Sequence, residues 1–339
     1  MRKTGILLLV VLGLGAVALY FTSTRSQSAS TLESQTDFAI PDTAAVGKIF
    51  MADGSGRSIT LTRTESGWSV NGKYRAREDA VHTLLKTFKN VYIQRPVPKE
   101  AQEEVVRQLA GAAKKVEIYD REGNWIKTWF VGPGTMDKKG TYMVLETPKW
   151  GRAEEPFILD MRGFIGMLDT RFFLDENEWR SVGVWRYPDL TISEVKVEYP
   201  AQTEQSFRIT FDGGNDIKFF EGVGDESLPF DSTLVKDYLL NFKLASFENY
   251  KTGLPESTVD SILASTPFQI ITLRDQNRET KVRLWHKVAP EGRYEEDGET
   301  IAEFDLEYVY AATEAGELAR AQRFIWDKFR APREIFIKK

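Results

Sequence analysis

The sequence predicts an α+β protein in which an N-terminal transmembrane helix precedes two tandem, internally duplicated domains, each a mainly antiparallel β-sheet with two helices. Three observations carry that expectation: an apolar run behind a basic pair, short alternating strands closed by glycine turns, and the return of the same order of elements after about 154 residues. The 339 residues are 42% apolar, 12% aromatic and 28% charged, which supplies enough core formers for about two domains and excludes a disordered or low-complexity chain.

Arg2 and Lys3 precede an uncharged run from Gly5 to Phe21. At about 1.5 Å per residue those positions extend about 26 Å as a helix, close to the hydrocarbon thickness of a bilayer. The run ends in Leu19, Tyr20 and Phe21 instead of the small-x-small site of a cleaved signal peptide, so residues 1–27 read as a signal anchor. The expected topology is single-pass in a bacterial inner membrane, with the N-terminus cytoplasmic, residues 5–21 in lipid and the rest on the extracytoplasmic or periplasmic side. Residues 28–44 are rich in Ser, Thr, Ala and Gln and read as a flexible tether with a short ordered end near Phe38 and Ile40.

The first repeat spans residues 45–170. Lys48–Met51, Ser58–Thr62 and Trp68–Val70 alternate apolar and polar residues between glycine turns, the pattern of a β-meander. From Tyr74 to Val91 the spacing becomes helical, with Ala80, Leu84, Leu85 and Phe88 on one face. A second helix is expected over Glu100–Ala110, followed by strands at Lys115–Tyr119, Trp125–Val131, Tyr142–Leu145 and Phe157–Leu159.

The second repeat spans residues 188–339. Glu194–Tyr199, Ser206–Thr210 and Ile217–Phe220 repeat the meander, and Leu234–Ala245 repeats the first helix. Thr87-Phe88-Lys89 aligns with Asn241-Phe242-Lys243, and Val116–Tyr119 with Ile270–Leu273, both at an offset of 154. Pro156–Asp160 aligns with Arg323–Asp327 at 167, which places an acidic hairpin insertion at Val288–Thr300.

Between the repeats, residues 171–187 hold the densest run of aromatics and arginines. Phe172, Phe173, Trp179, Arg180, Trp185, Arg186 and Tyr187 are residue types that dominate protein contacts, so they form the candidate protein-contact patch. The same composition also suits a segment that buries against both neighbouring domains.

Catalytic and metal chemistry finds few carriers. The chain has no cysteine, which excludes disulfides, thiolate metal sites, a cysteine nucleophile and an acylated cysteine. His82 and His286 stand without a second histidine at ligand spacing, and no nucleophile-elbow pattern occurs. Ser193–Lys196 matches S-x-x-K at the start of a strand, the wrong context for that chemistry. Glu154, Glu155, Asp160 and Asp175 are the acidic candidates for glycoside hydrolysis, and the turns Asp212–Asp216 and Glu295–Glu299 lack the spacing of an EF-hand loop. No catalytic residue, metal ligand or cofactor is expected, and a net charge of -5 gives no basic footprint for nucleic acid.

The basic start, the single apolar span, Gly67-Trp68-Ser69-Val70, Leu84-Leu85, Phe130-Val131-Gly132, Arg171-Phe172-Phe173 and Trp179-Arg180 together resemble the bacterial family known as domain of unknown function 4340. The resemblance covers the chain from Val46 and implies a membrane-anchored envelope protein, encoded beside membrane subunits of ABC-type transporters, including those related to gliding motility. The expectation is therefore a non-enzymatic accessory or binding protein whose partner is an integral membrane protein complex. An envelope hydrolase acting on glycan or peptide, and a ligand-binding module feeding a transporter, are the alternatives.

Overall fold

A computed structural model describes residues 36–211, 216–222, 224, 226–295 and 297–338. The anchor, the first part of the tether and the Asp212–Asn215 turn lie outside the described residues. Among the described residues no helix is long and apolar enough to cross a membrane. The chain divides between Ser181 and Val182 into two units, a boundary inside the 171–187 segment.

In the first unit the strands are β1 Val46–Ala52, β2 Ser58–Thr64, β3 Gly67–Val70, β4 Tyr74–Arg75, β5 Val91–Pro96, β6 Lys114–Asp120, β7 Trp125–Gly134, β8 Thr141–Thr147, β9 Gly151–Arg152 and β10 Phe157–Met161. They form one sheet in the order β4-β3-β2-β1-β6-β7-β8-β10-β5, with β9 paired to β8. Among the described residues its helices are α1 Glu78–Asn90, α2 Lys99–Ala112 and the single turn α3 Glu176–Trp179. The expected helix start at Tyr74 is too early, because Tyr74 and Arg75 pair with β3 and the helix opens on Glu78 and Asp79, acids that suit its N-terminal dipole.

In the second unit the strands are β11 Gly183–Trp185, β12 Glu194–Glu198, β13 Phe207–Phe211, β14 Ile217–Glu221, β15 Ala245–Ser246, β16 Gln269–Arg274, β17 Glu279–Val288, β18 Phe304–Thr313 and β19 Leu318–Gln322. The main sheet runs β14-β13-β12-β16-β17-β18-β19, while β11 pairs with β15 in a separate two-stranded sheet. The helices are α4 Ser232–Leu239, α5 Glu256–Ala264 and the short α6 Arg323–Trp326. The expected helix Leu234–Ala245 is divided: α4, capped by the Asp231 carboxylate on the Thr233 and Leu234 amides, gives way to a 3-10 turn at Leu240–Lys243.

Both units are α+β with antiparallel pairing, and seven strands share one order: β3-β2-β1-β6-β7-β8-β10 in the first, β14-β13-β12-β16-β17-β18-β19 in the second. Two details of the sequence alignment are corrected. Val116 and Ile118 are buried in β6, as are Ile271 and Leu273 in β16, so the matching offset there is 155. A slip of one residue exchanges the two faces of a strand, and burial fixes the phase. Arg323–Asp327 is helical where Pro156–Asp160 is strand, so the partner of β10 in sheet order is β19.

Each sheet is covered in the same way. One face of the first sheet carries a large cluster that includes Ile49, Leu61, Phe88, Val116 and Trp129. On the opposite face, Val105 and Leu109 of α2 pack on Val144 and Ile158. Gly132 of β7 admits this helix, since a Cβ there would meet the Leu109 side chain at 2.6 Å. In the second unit Val195, Phe242, Leu284 and Trp326 belong to the large cluster. Opposite them, Val259 and Ile262 of α5 cover Trp285 and Tyr310.

The N-terminal segment is part of the first core. Phe38 is buried between Trp129 and Phe157, with ring centroids 6.2 Å from each, and the Ile40 amide donates to the Phe88 carbonyl at 2.8 Å. The tether read as 28–44 is therefore docked from Asp37 onward, with the ordered end near Phe38 and Ile40 as expected.

Candidate interaction surfaces

The candidate contact patch is divided between two interiors. In the first unit Phe172 and Trp179 are fully buried. The Trp179 ring lies 4.2 Å from Phe173, and its indole N–H donates to the Phe173 carbonyl at 2.9 Å. Arg180 is buried with its guanidinium 3.5 Å from the centroid of Tyr74. In the second unit Trp185 is buried against Phe242, Trp326 and Phe329 at 5.0, 5.4 and 5.3 Å. Tyr187 is buried and donates to the Asp275 carboxylate at 2.6 Å, with burial pushing its phenol upward. Phe173 is half-buried and Arg186 exposed. Of the two readings of this segment, burial holds for five of its seven side chains, which lie in the interiors of the two units, and only Phe173 and Arg186 keep exposed surface. The meander edges expected as contact surfaces are short in the first unit, where β4 has two residues, and in the second are partly covered, where Leu228 donates to the Phe219 carbonyl.

Exposed apolar side chains occur, among other places, on the hairpin that joins β17 to β18 and on the adjoining turn α6. Val288, Ile301 and Phe324 are 74%, 72% and 79% exposed. Val288 pairs with Phe304, and Tyr294 bridges Ile301 further out. At the tip the Asp297 carboxylate accepts from the Glu299 and Thr300 amides and the Thr300 hydroxyl, which holds it below the usual carboxylate range. Near the base Lys287 pairs with Asp305. The corresponding connection in the first unit is Thr135–Gly140. The sequence marks this hairpin as an acidic insertion, and apolar residues inside a charged insertion were the available signal for its surface.

The second unit also holds a cavity of about 740 Å³ whose lining includes Tyr199, Pro200, Leu228 and Ile270, with Glu198, Glu204, Glu221 and Glu226 among its charged walls. Lys196 pairs with Glu198 at 2.8 Å, and Arg333 pairs with Glu221.

The remaining candidates have structural partners. Asp175 caps α3 by accepting from the Asn177 amide at 3.0 Å, and Asp160 accepts from the Tyr92 hydroxyl at 3.1 Å. Glu154 is exposed and Glu155 half-buried. Ser193 donates to the Arg274 carbonyl at 3.0 Å while Lys196 serves Glu198, so the S-x-x-K pair has no shared geometry. His82 is exposed on α1. His286 is stacked between Phe268 and Phe304 at 4.1 and 4.2 Å. Among the described residues no group of three His, Asp or Glu side chains is placed to hold a metal ion.

No protein-family model, curated protein or solved structure matches the chain.

Proposed function

We propose that the protein is a membrane-anchored, extracytoplasmic accessory subunit that acts by binding another protein, an integral membrane complex of the envelope. The observation that carries this reading is the docked start of the first unit: Asp37–Ile40 is locked onto the sheet, so only the fifteen residues Thr22–Thr36 separate the apolar run from folded protein. Fifteen residues reach at most about 50 Å, so an anchored chain keeps its folded units near the membrane and raises their effective concentration for a membrane partner. The resemblance to the domain of unknown function 4340 family points to a transporter- or motility-related complex. The shared strand order of the two units supports their origin from one duplicated unit.

The test is mild crosslinking of the full-length chain in cells, detergent extraction and mass spectrometry, beside a version lacking residues 1–27 and exported separately. Recovery of membrane subunits with the anchored form alone supports the reading. Recovery of the protein by itself, under conditions that efficiently crosslink another envelope complex, overturns it. The second reading is a ligand-binding module, favoured by the cavity of about 740 Å³ in the second unit, a volume suited to a small molecule.

A further inference from the structure

The connection between β17 and β18 is longer than its counterpart in the first unit, and it exposes several apolar side chains along a strongly acidic arm. The first unit crosses the same position with Thr135–Gly140; the second runs from Val288 to Phe304. The additional chain is paired: Arg293 accepts from the Ala302 amide at 3.0 Å, and Glu295 donates to the Thr300 carbonyl at 2.7 Å. Its tip residues Glu295 and Asp297 line one depression with Leu306, Arg323 and Asp327, which brings the arm beside α6 and its exposed Phe324. Val288, Tyr294, Ile301, Leu306 and Phe324 therefore expose apolar surface at one end of the unit.

Charge then selects the occupant. Residues 291–307 contain eight acidic side chains and one basic one, Arg293, which faces Glu307 at 3.4 Å. Of the cations on α6 and beside it, Arg323 pairs with Asp327 at 3.1 Å and Lys328 lies 4.6 Å above the Phe324 ring. An acidic arm is repelled by an anionic bilayer and by the same arm of a second copy, and it attracts a basic surface. We propose that this end of the second unit is a docking surface for a protein presenting an apolar patch bordered by lysine or arginine side chains. The proposal rests on the binding reading above and specifies the chemistry of the partner. Ile301 and Phe324 enter the apolar patch, while Glu295 and Glu299 face its basic border.

The experiment places a photoreactive phenylalanine analogue at Ile301 or Phe324 of the full-length chain in cells, with Met136 and Ile165 of the first unit, both nearly fully exposed, as control positions. The expected result is adducts to one protein at Ile301 and Phe324, through a peptide bearing lysine or arginine, and few at the controls. The double charge reversal Glu295→Lys, Glu299→Lys should lower the yield about tenfold. With the analogue at Phe324, which remains in place, a second variant replacing residues 289–303 with the Thr135–Gly140 sequence should lower the yield equally, which guards against a local folding defect in either one. Adducts to lipid or to a second copy, or a yield indifferent to both variants, overturn the proposal. Capture of a membrane partner only through Met136 or Ile165 overturns this surface and leaves the binding reading standing; absence of adducts at all four positions overturns the surface, and the in-cell crosslinking of the anchored chain described above then decides the broader reading.

Discussion

Lys127 Nζ donates to the Asp37 carbonyl at 2.7 Å and to the Ala39 carbonyl at 3.0 Å, and meets the Asp37 carboxylate at 3.2 Å. The ammonium is buried in β7, and burial draws its pKa down. It clamps the start of the folded chain onto the sheet. Replacing it with an apolar side chain leaves carbonyls without a donor, at a cost of about 1–3 kcal/mol. Lys127→Met should therefore lower the unfolding midpoint and open the chain near Asp37–Ile40 to limited proteolysis. An unchanged cleavage pattern would show that Phe38 packing and the Ile40–Phe88 hydrogen bond hold the segment without Lys127.

Gly47 lies where the pairing of β1 with β6 shifts register, between Val46 and Lys48. A Cβ at this position would stand 2.5 Å from the Asp120 carbonyl oxygen and 2.6 Å from the Arg121 Cα, both rigid backbone. Gly47→Ala should destabilise the protein by about 2 kcal/mol or more, whereas Gly54→Ala, in a turn with open space around its Cβ, should stay within about 0.5 kcal/mol. Urea unfolding of the pair decides it, and equal midpoints would refute the close approach.

Alternation and helical spacing made most elements legible. Val116 and Ile118 against Lys115 and Glu117 announce a half-buried strand, and Leu84 with Phe88 announces the inner face of α1. Three features were not legible for physical reasons. Phe324-Ile325-Trp326-Asp327 has the apolar density of Phe157–Asp160, yet Phe324 is exposed and Trp326 buried; composition in so short a run does not distinguish a helical turn from a strand. Trp179 and Trp185 suit a core and an interface equally, because both bury aromatic rings, and only the surrounding sheets decide which. The surface of the β17–β18 arm was hidden by the opposite ambiguity, since an acidic turn is solvated whether or not Ile301 beside it has a partner.

Phe88 and Phe242 occupy matching places in the two units: each is fully buried with a ring centroid 5.0 Å from a buried tryptophan, Trp129 in one and Trp185 in the other. Truncating either ring leaves a cavity bounded by other rings and should cost about 3–5 kcal/mol. Hydrogen exchange should show Phe88→Ala lowering protection in β6 and β7, and Phe242→Ala in β16 and β17. Neither variant altering exchange in its own sheet would contradict the central placement of these rings.

His286, partly buried at the margin of the second unit's sheet, makes its stability depend on pH. Stacked between Phe268 and Phe304, its imidazole has its pKa lowered below the ordinary 6.5, first by burial and then by Arg330 and Arg323, against a smaller opposite pull from Glu303 and Asp327. The proton therefore binds the unfolded chain more tightly than the folded one. The stability conferred by neutral His286 is complete above pH 6.5 and is lost as the pH falls through that value, until the folded imidazole also titrates. His286→Phe keeps the stack and removes the proton site. Denaturant midpoints at about pH 7.5 and about pH 5 should converge for this variant while the parent loses stability at the lower pH. An equal loss in both proteins would assign the acid sensitivity to groups other than His286.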